Sequence, residues 1–99
     1  GPVPGLLRRK AGLFPDNVKT MRMLAMFYEA SGNTFKAQEL YTEILEGTPD
    51  DSNTMKRLIS LFRNNDMQNE AIVMLNKYLH MNQIDEDAWL ELTDIYLSK

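Results

Sequence analysis

The side chains that could do chemistry in this chain are few and poorly placed for it. His80 is the only histidine, and cysteine is absent, so there is no disulfide framework and no thiolate. As a general base, His80 needs a Ser, Cys or Asp partner at a recognisable spacing. None stands near it, and a solvent-facing place near the end of a helix is the simpler account. The run Asp85-Glu86-Asp87 offers carboxylates, but it lacks the glycine and the terminal glutamate of a calcium loop. Acidic residues favoured by the dipole at a helix N-terminus explain it better. No glycine-rich phosphate loop or zinc spacing is present. The expectation is a protein that is not an enzyme and needs no cofactor or metal.

Binding is what remains. A net charge of −3 argues against a nucleic-acid partner, because phosphate recognition wants a basic surface. Hydrophobic residues make up 43% of the chain and charged residues 25%, the balance of a folded domain and not of a disordered tail. No apolar run approaches the roughly 20 residues that cross a bilayer, and no signal peptide is visible, so no direct membrane span is expected. The lack of cysteine fits the cytoplasm. Gly1-Pro2 resembles the scar left by a tag-cleaving protease, so the expectation is a piece cut from a longer protein.

Internal repetition organises the rest. Leu24, Leu58 and Leu92 stand 34 residues apart. The same step joins Met21, Met55 and Trp89, and Tyr28, Phe62 and Tyr96. It also joins Ala37 to Ala71, Leu45 to Leu79 and Pro15 to Pro49. Asp16-Asn17, Asp51-Ser52 and Asp85 are placed to cap helix N-termini. Gly32 and Asn64-Asn65-Asp66 break the chain between paired helices, and Pro15 and Pro49 stop helices. Five helices are therefore expected, over 17–31, 34–47, 52–64, 67–82 and 86–98, with 6–14 as the tail of a truncated one. Within them the apolar residues fall on one face: Met21, Leu24 and Tyr28; Ala37, Leu40, Tyr41, Ile44 and Leu45; Ile72, Leu75, Tyr78 and Leu79; Trp89, Leu92 and Tyr96. All of these are read as core.

A period of about 34 residues is that of a helix–turn–helix repeat, and these columns resemble the tetratricopeptide family over residues 16–98. Met21 and Trp89 match its bulky site, Leu24, Leu58 and Leu92 its leucine site, and Tyr28, Phe62 and Tyr96 its aromatic site. Ala37 and Ala71 match the small site where paired helices approach, and Tyr41 and Pro49 match later positions. Ile59 and Thr93 depart from a usual Gly or Ala, and Ile44 and Tyr78 from a usual Ala. The resemblance implies an all-α solenoid of about two and a half repeats. Its expected parts are a tag remnant and truncated helix over 1–15, repeat 1 over 16–51, repeat 2 over 52–85 and the first helix of repeat 3 over 86–99. Such repeats stack to bury a continuous core and expose a curved surface, whose concave wall is made by the first helix of each repeat. By family position the partner-binding groove then comprises Lys19, Arg22, Met26, Asn53, Lys56, Ser60, Arg63, Asp87, Leu90 and Asp94.

Met26 reads equally well as a groove side chain that adapts to a partner and as plain packing. Charge is uneven: Arg8, Arg9, Lys10, Lys19 and Arg22 come early, and Asp85, Glu86, Asp87, Glu91 and Asp94 come late. Two solvated faces explain this more simply than a polarised groove. One subclass of the family grips the C-terminal carboxylate of chaperones with two Asn and three basic residues. The corresponding residues here are Arg22, Met26, Arg57, Asp87 and Glu91, of which only the first matches, and the last two would repel a carboxylate.

A narrower resemblance rests on Leu13-Phe14-Pro15, Ala37-Gln38-Glu39-Leu40-Tyr41, Glu70-Ala71-Ile72 with Leu75-Asn76-Lys77-Tyr78-Leu79, and Asp87-Ala88-Trp89-Leu90-Glu91-Leu92. These segments are similar to the family of subunit 2 of the endoplasmic reticulum membrane protein complex. That resemblance implies a non-catalytic protein–protein interaction scaffold, cytoplasmic and peripheral on the cytosolic face of the endoplasmic reticulum. Its partners would be other protein subunits, including cytosolic segments of membrane proteins, in a complex that inserts transmembrane helices. The alternative is a free-standing tetratricopeptide adaptor that binds short peptides transiently. In a truncated piece, an uncovered last helix over 89–98 would also favour self-association as an artefact.

Overall fold

Local side-chain chemistry sets where each helix begins and ends. In a computed structural model, which describes residues 15–99, five helices follow one another with no strand among the described residues. They are α1 (Pro15–Ala30), α2 (Thr34–Gly47), α3 (Ser52–Asn64), α4 (Gln68–Met81) and α5 (Glu86–Leu97). Their ends agree with the sequence-based bounds to within two residues. The tag scar, the truncated helix over 6–14 and the basic Arg8-Arg9-Lys10 lie outside the described residues.

Two helix starts differ in detail from expectation. Pro15 opens α1, the position where a missing N–H costs nothing and a fixed φ helps; the segment it was expected to stop lies outside the described residues. Asp16 and Asn17 therefore sit inside the first turn and do not precede it. The Asp85 expectation holds: its side chain accepts from the Ala88 N–H at 3.2 Å. Asn33 caps α2 by accepting from the Lys36 N–H at 3.2 Å, whereas Met67, one repeat later, starts α4 without a side-chain cap.

The turns inside the two helical pairs are the same motif. Gly32 takes φ +82°, and Asn33 N–H reaches back to the Tyr28 carbonyl at 2.8 Å while Gly32 N–H reaches Glu29 at 3.1 Å. One period later Asp66 takes φ +59°, with Met67 N–H on Phe62 at 2.8 Å and Asp66 N–H on Arg63 at 3.3 Å. Both satisfy the last helical carbonyls through a left-handed residue. Glycine adopts that conformation freely, and Asp tolerates it at a cost.

The chain divides between Thr54 and Met55, inside α3, into two compact units. In the first, α1 packs against α2, and Ala25, Ala37, Tyr41 and Ile44 are fully buried. The Tyr41 hydroxyl donates to Glu29 at 2.9 Å, so its one polar atom is satisfied inside the core. In the second, α4 packs against α5, with Ala71, Leu75, Tyr78, Leu79, Ala88, Leu92 and Ile95 buried. Helix α3 buries Met55, Leu58, Ile59, Leu61 and Phe62, a set that spreads around more than one face.

Three residues read as core are not. Leu24 is 44% exposed, Trp89 48% and Tyr96 55%. In α1 and α5 the buried stripe is shifted: Val18 and Ala25 are buried in α1, and in α5 Leu92 is buried as expected but with Ala88 and Ile95 beside it. One residue along a helix is a turn of about 100°, enough to rotate Trp89 and Tyr96 out. Trp89 stays tied down because its indole N–H donates to the Gln83 carbonyl at 2.8 Å. The three columns are wholly buried only in α3, at Met55, Leu58 and Phe62.

The paired turns give a direct test. Asp66→Gly removes a left-handed non-glycine residue and leaves the hydrogen bonds of the turn in place. It is expected to raise unfolding stability by about 0.5–1 kcal/mol, read as a higher urea midpoint. A midpoint at or below the parent's contradicts the assigned role of the turn.

Candidate functional site

Two acid–base clasps recur one repeat apart. Arg22 of α1 places Nη1 3.0 Å from Asp51 Oδ2 and 3.3 Å from Thr54 Oγ1. The Thr54 hydroxyl, itself fully buried, donates to the same Asp51 oxygen at 2.6 Å. The side chains of Arg22 and Asp51 are 18% and 15% exposed. This cation is therefore committed within its own unit. Thirty-four residues on, Lys56 Nζ lies 3.5 Å from Asp85 Oδ2 and 5.2 Å from the centre of the Tyr78 ring. The Tyr78 hydroxyl donates to Asp85.

The second clasp is electrostatically coupled. The Tyr78 hydroxyl, then the Ala88 N–H and Lys56, hold the Asp85 carboxyl below its usual range. Burial pushes the Tyr78 phenol up, and its hydrogen bond to Asp85 adds to this. Tyr78 and then Asp85 make Lys56 hold its proton more tightly. These are the directions expected when a hydrogen bond and an opposite charge favour one protonation state.

Beside this clasp is a cavity in the second unit, between α3, α4 and α5. Its floor is apolar: Ile59, Leu75 and Ala88. Its wall and rim carry Ser60, Asp87 and Glu91 together with Lys56, Tyr78 and Asp85 of the clasp itself. The arrangement follows from helical spacing. Lys56, Ser60 and Arg63 on α3, and Asp87, Glu91 and Asp94 on α5, each lie at i, i+4, i+7 and so share a face. Arg63 joins the two faces, 3.2 Å from Glu91 and 2.8 Å from Asp94. Among the expected groove residues, the fold thus brings Lys56, Ser60 and Asp87 around one cavity and pairs Arg63 with Asp94. Leu90 is 66% exposed on α5 and is not part of the cavity wall. Lys19 and Asn53 are exposed, and Met26 half-buried, in the first unit.

Sequence reasoning missed Tyr78, Asp85 and Glu91 as parts of this face. The repeat itself carried the signal: Arg22 and Asp51 recur as Lys56 and Asp85 at the same 34-residue step. Among the described residues no group of three or more His, Cys, Asp or Glu could hold a metal ion. No described helix is long and apolar enough to cross a membrane. What the face offers chemically is recognition: an apolar floor, fixed charges and hydrogen-bonding groups on rigid helices.

Comparison with known proteins decides the family, since the model of the EMC2 TPR-like repeat domain matches residues 11–99. The chain belongs to the EMC2 TPR-like repeat family. It is 32% identical over 83 residues to ER membrane protein complex subunit 2 of Dictyostelium discoideum, covering 84% of this chain and 26% of the relative. It is 32% identical over 93 residues to ER membrane protein complex subunit 2-B of Xenopus laevis, covering 94% of this chain and 30% of that protein. TPR repeat protein oca3 of Schizosaccharomyces pombe is 34% identical over 85 residues, covering 86% of this chain and 30% of the relative. The chain therefore spans between a quarter and a third of the length of these curated relatives. Membership in this family accounts for the 34-residue columns and for the helix–turn–helix pairs.

The depressed carboxyl of Asp85 makes a pH-dependent prediction. A carboxylate whose folded pKa lies below its unfolded value, about 4, adds stability that is present above that pH. The contribution is lost as pH falls through the folded value. Asp85→Asn keeps an N-cap acceptor and removes the charge. The variant is expected to be less stable than the parent at pH 7 and to lose less stability on acidification below about pH 4. Thermal melts across pH 2–7 check this; superimposable profiles for the two proteins refute it.

Proposed function

We propose that this chain is a non-catalytic scaffold segment of an ER membrane protein complex subunit 2. In this reading its helical faces hold segments of other subunits, among them cytosolic segments of membrane proteins. The protein would sit peripherally on the cytosolic face of the endoplasmic reticulum, in a complex that inserts transmembrane helices. The observation that carries the reading is the family match over 11–99, together with relatives that are named as subunits of that complex. The exposed charged face of α3 and α5 supports it, because rigid helices presenting fixed polar groups around an apolar floor suit protein recognition. The Asp87 and Glu91 carboxylates argue against the carboxylate-gripping mode known for other tetratricopeptide proteins. Glu91 is in addition paired with Arg63 at 3.2 Å.

The test uses the full-length protein, tagged and purified in mild detergent from its own cells, followed by size exclusion and mass spectrometry. The expected outcome is co-elution in fixed stoichiometry with membrane-spanning subunits. Elution as a free monomer, or with only substoichiometric soluble partners, overturns the reading.

A further inference from the structure

The cavity between α3, α4 and α5 is small. At about 220 Å³ it falls short of the roughly 300–1,000 Å³ of small-molecule sites and is of the size that takes one long side chain. Its floor, Ile59, Leu75 and Ala88, is at most 6% exposed, so an aliphatic stem would meet packed carbon. Its charged lining is anionic: Asp85, Asp87 and Glu91 stand against Lys56, an excess of two negative charges. Lys56 is already engaged with Asp85 at 3.5 Å, and Arg63 with Glu91 and Asp94. Asp87, on the rim, is exposed and makes no ion pair among the described residues. A wholly apolar side chain would leave this carboxylate beside a dry surface, and an acidic one would be repelled. A side chain with a hydrocarbon stem and a cationic head satisfies both parts of the cavity.

Resting on the scaffold reading above, we infer that this cavity receives a lysine or arginine side chain of a bound partner segment. The stem lies on Ile59, Leu75 and Ala88, and the head reaches Asp87 and Glu91, with the Ser60 hydroxyl as a further acceptor. The neighbouring clasp of Lys56, Asp85 and Tyr78 holds the α5 N-terminus, and with it Asp87, in place. The cavity thus acts as a specificity pocket: it admits basic residues at one position of the partner and rejects acidic ones.

The experiment selects random 12-residue peptides displayed on phage against the 99-residue chain, then measures synthetic copies of the enriched sequences by titration calorimetry. Enriched sequences are expected to share a Lys or Arg. Replacing that residue with norleucine should weaken binding about fivefold, as should Asp87→Asn in the protein. Combined, the two changes should cost no more than either alone, because they remove the same contact. Asp87→Lys should weaken the basic peptide further, and binding should decline with added salt. Enriched peptides that lack a basic residue, or whose affinity is indifferent to Asp87→Asn, overturn the inference and leave the scaffold reading standing. A selection that enriches no peptide counts against both.

Discussion

Close approach within each helical pair is the constraint on which the rest depends. A three-residue turn with a left-handed residue, Gly32 or Asp66, leads from the first helix of each pair into the second. Small side chains suit positions where two helices come near each other, and Ala25, Ala37 and Ala71 have no exposed surface at all. Larger residues are confined to the flanks of the contact, where Tyr41 and Tyr78 lie buried and aim their hydroxyls at Glu29 and Asp85. Ile59 stands where the first pair has Ala25 and is nonetheless 97% buried, being only 3% exposed. The second pair therefore accommodates a branched side chain at that level, and this residue becomes part of the cavity floor.

Polar groups are placed by the same geometry. An arginine or lysine on the first helix of a repeat meets the aspartate just before the next first helix, as in Arg22 with Asp51 and Lys56 with Asp85. These pairs are partly exposed, and such pairs are individually worth about 1 kcal/mol or less. Their effect is on position more than on stability. Asp85 accepts from a tyrosine and a backbone N–H and pairs with a lysine at once, which fixes the start of α5 and so the bearing of Asp87, Glu91 and Asp94. The charged face follows from packing that is mostly out of its sight.

The helices were legible in the sequence because three independent signals coincide in this chain: the 34-residue step, the turn residues and the capping side chains. Ala37 and Ala71 could be placed at the contact because no other position in the repeat is held small in both second helices. The core columns were legible only in part. Met55, Leu58 and Phe62 are buried, yet Leu24, Trp89 and Tyr96 are not, since burial depends on how many neighbours a helix has and not on the column it occupies. Helix α3 buries residues around a wide arc, whereas α5 buries a narrow stripe of Ala88, Leu92 and Ile95 that keeps Leu92 and leaves out Trp89 and Tyr96. The charged face was half legible. Family position pointed to Lys56, Ser60, Arg63, Asp87 and Asp94, but pairwise partners such as Tyr78 and Asp85 come from a different helix and a loop. No spacing along one helix reveals them.

Pairing of the helices places these faces. Ala71→Leu, followed by urea denaturation beside the parent, probes it most directly. If Ala71 sits at the point of closest approach, the added methylenes must displace packed neighbours and lower stability by about 1–3 kcal/mol, a large share of what a domain of this size has. An unchanged midpoint and slope would mean that the site has room to spare, and would contradict the helix pairing on which the fold and its charged face rest.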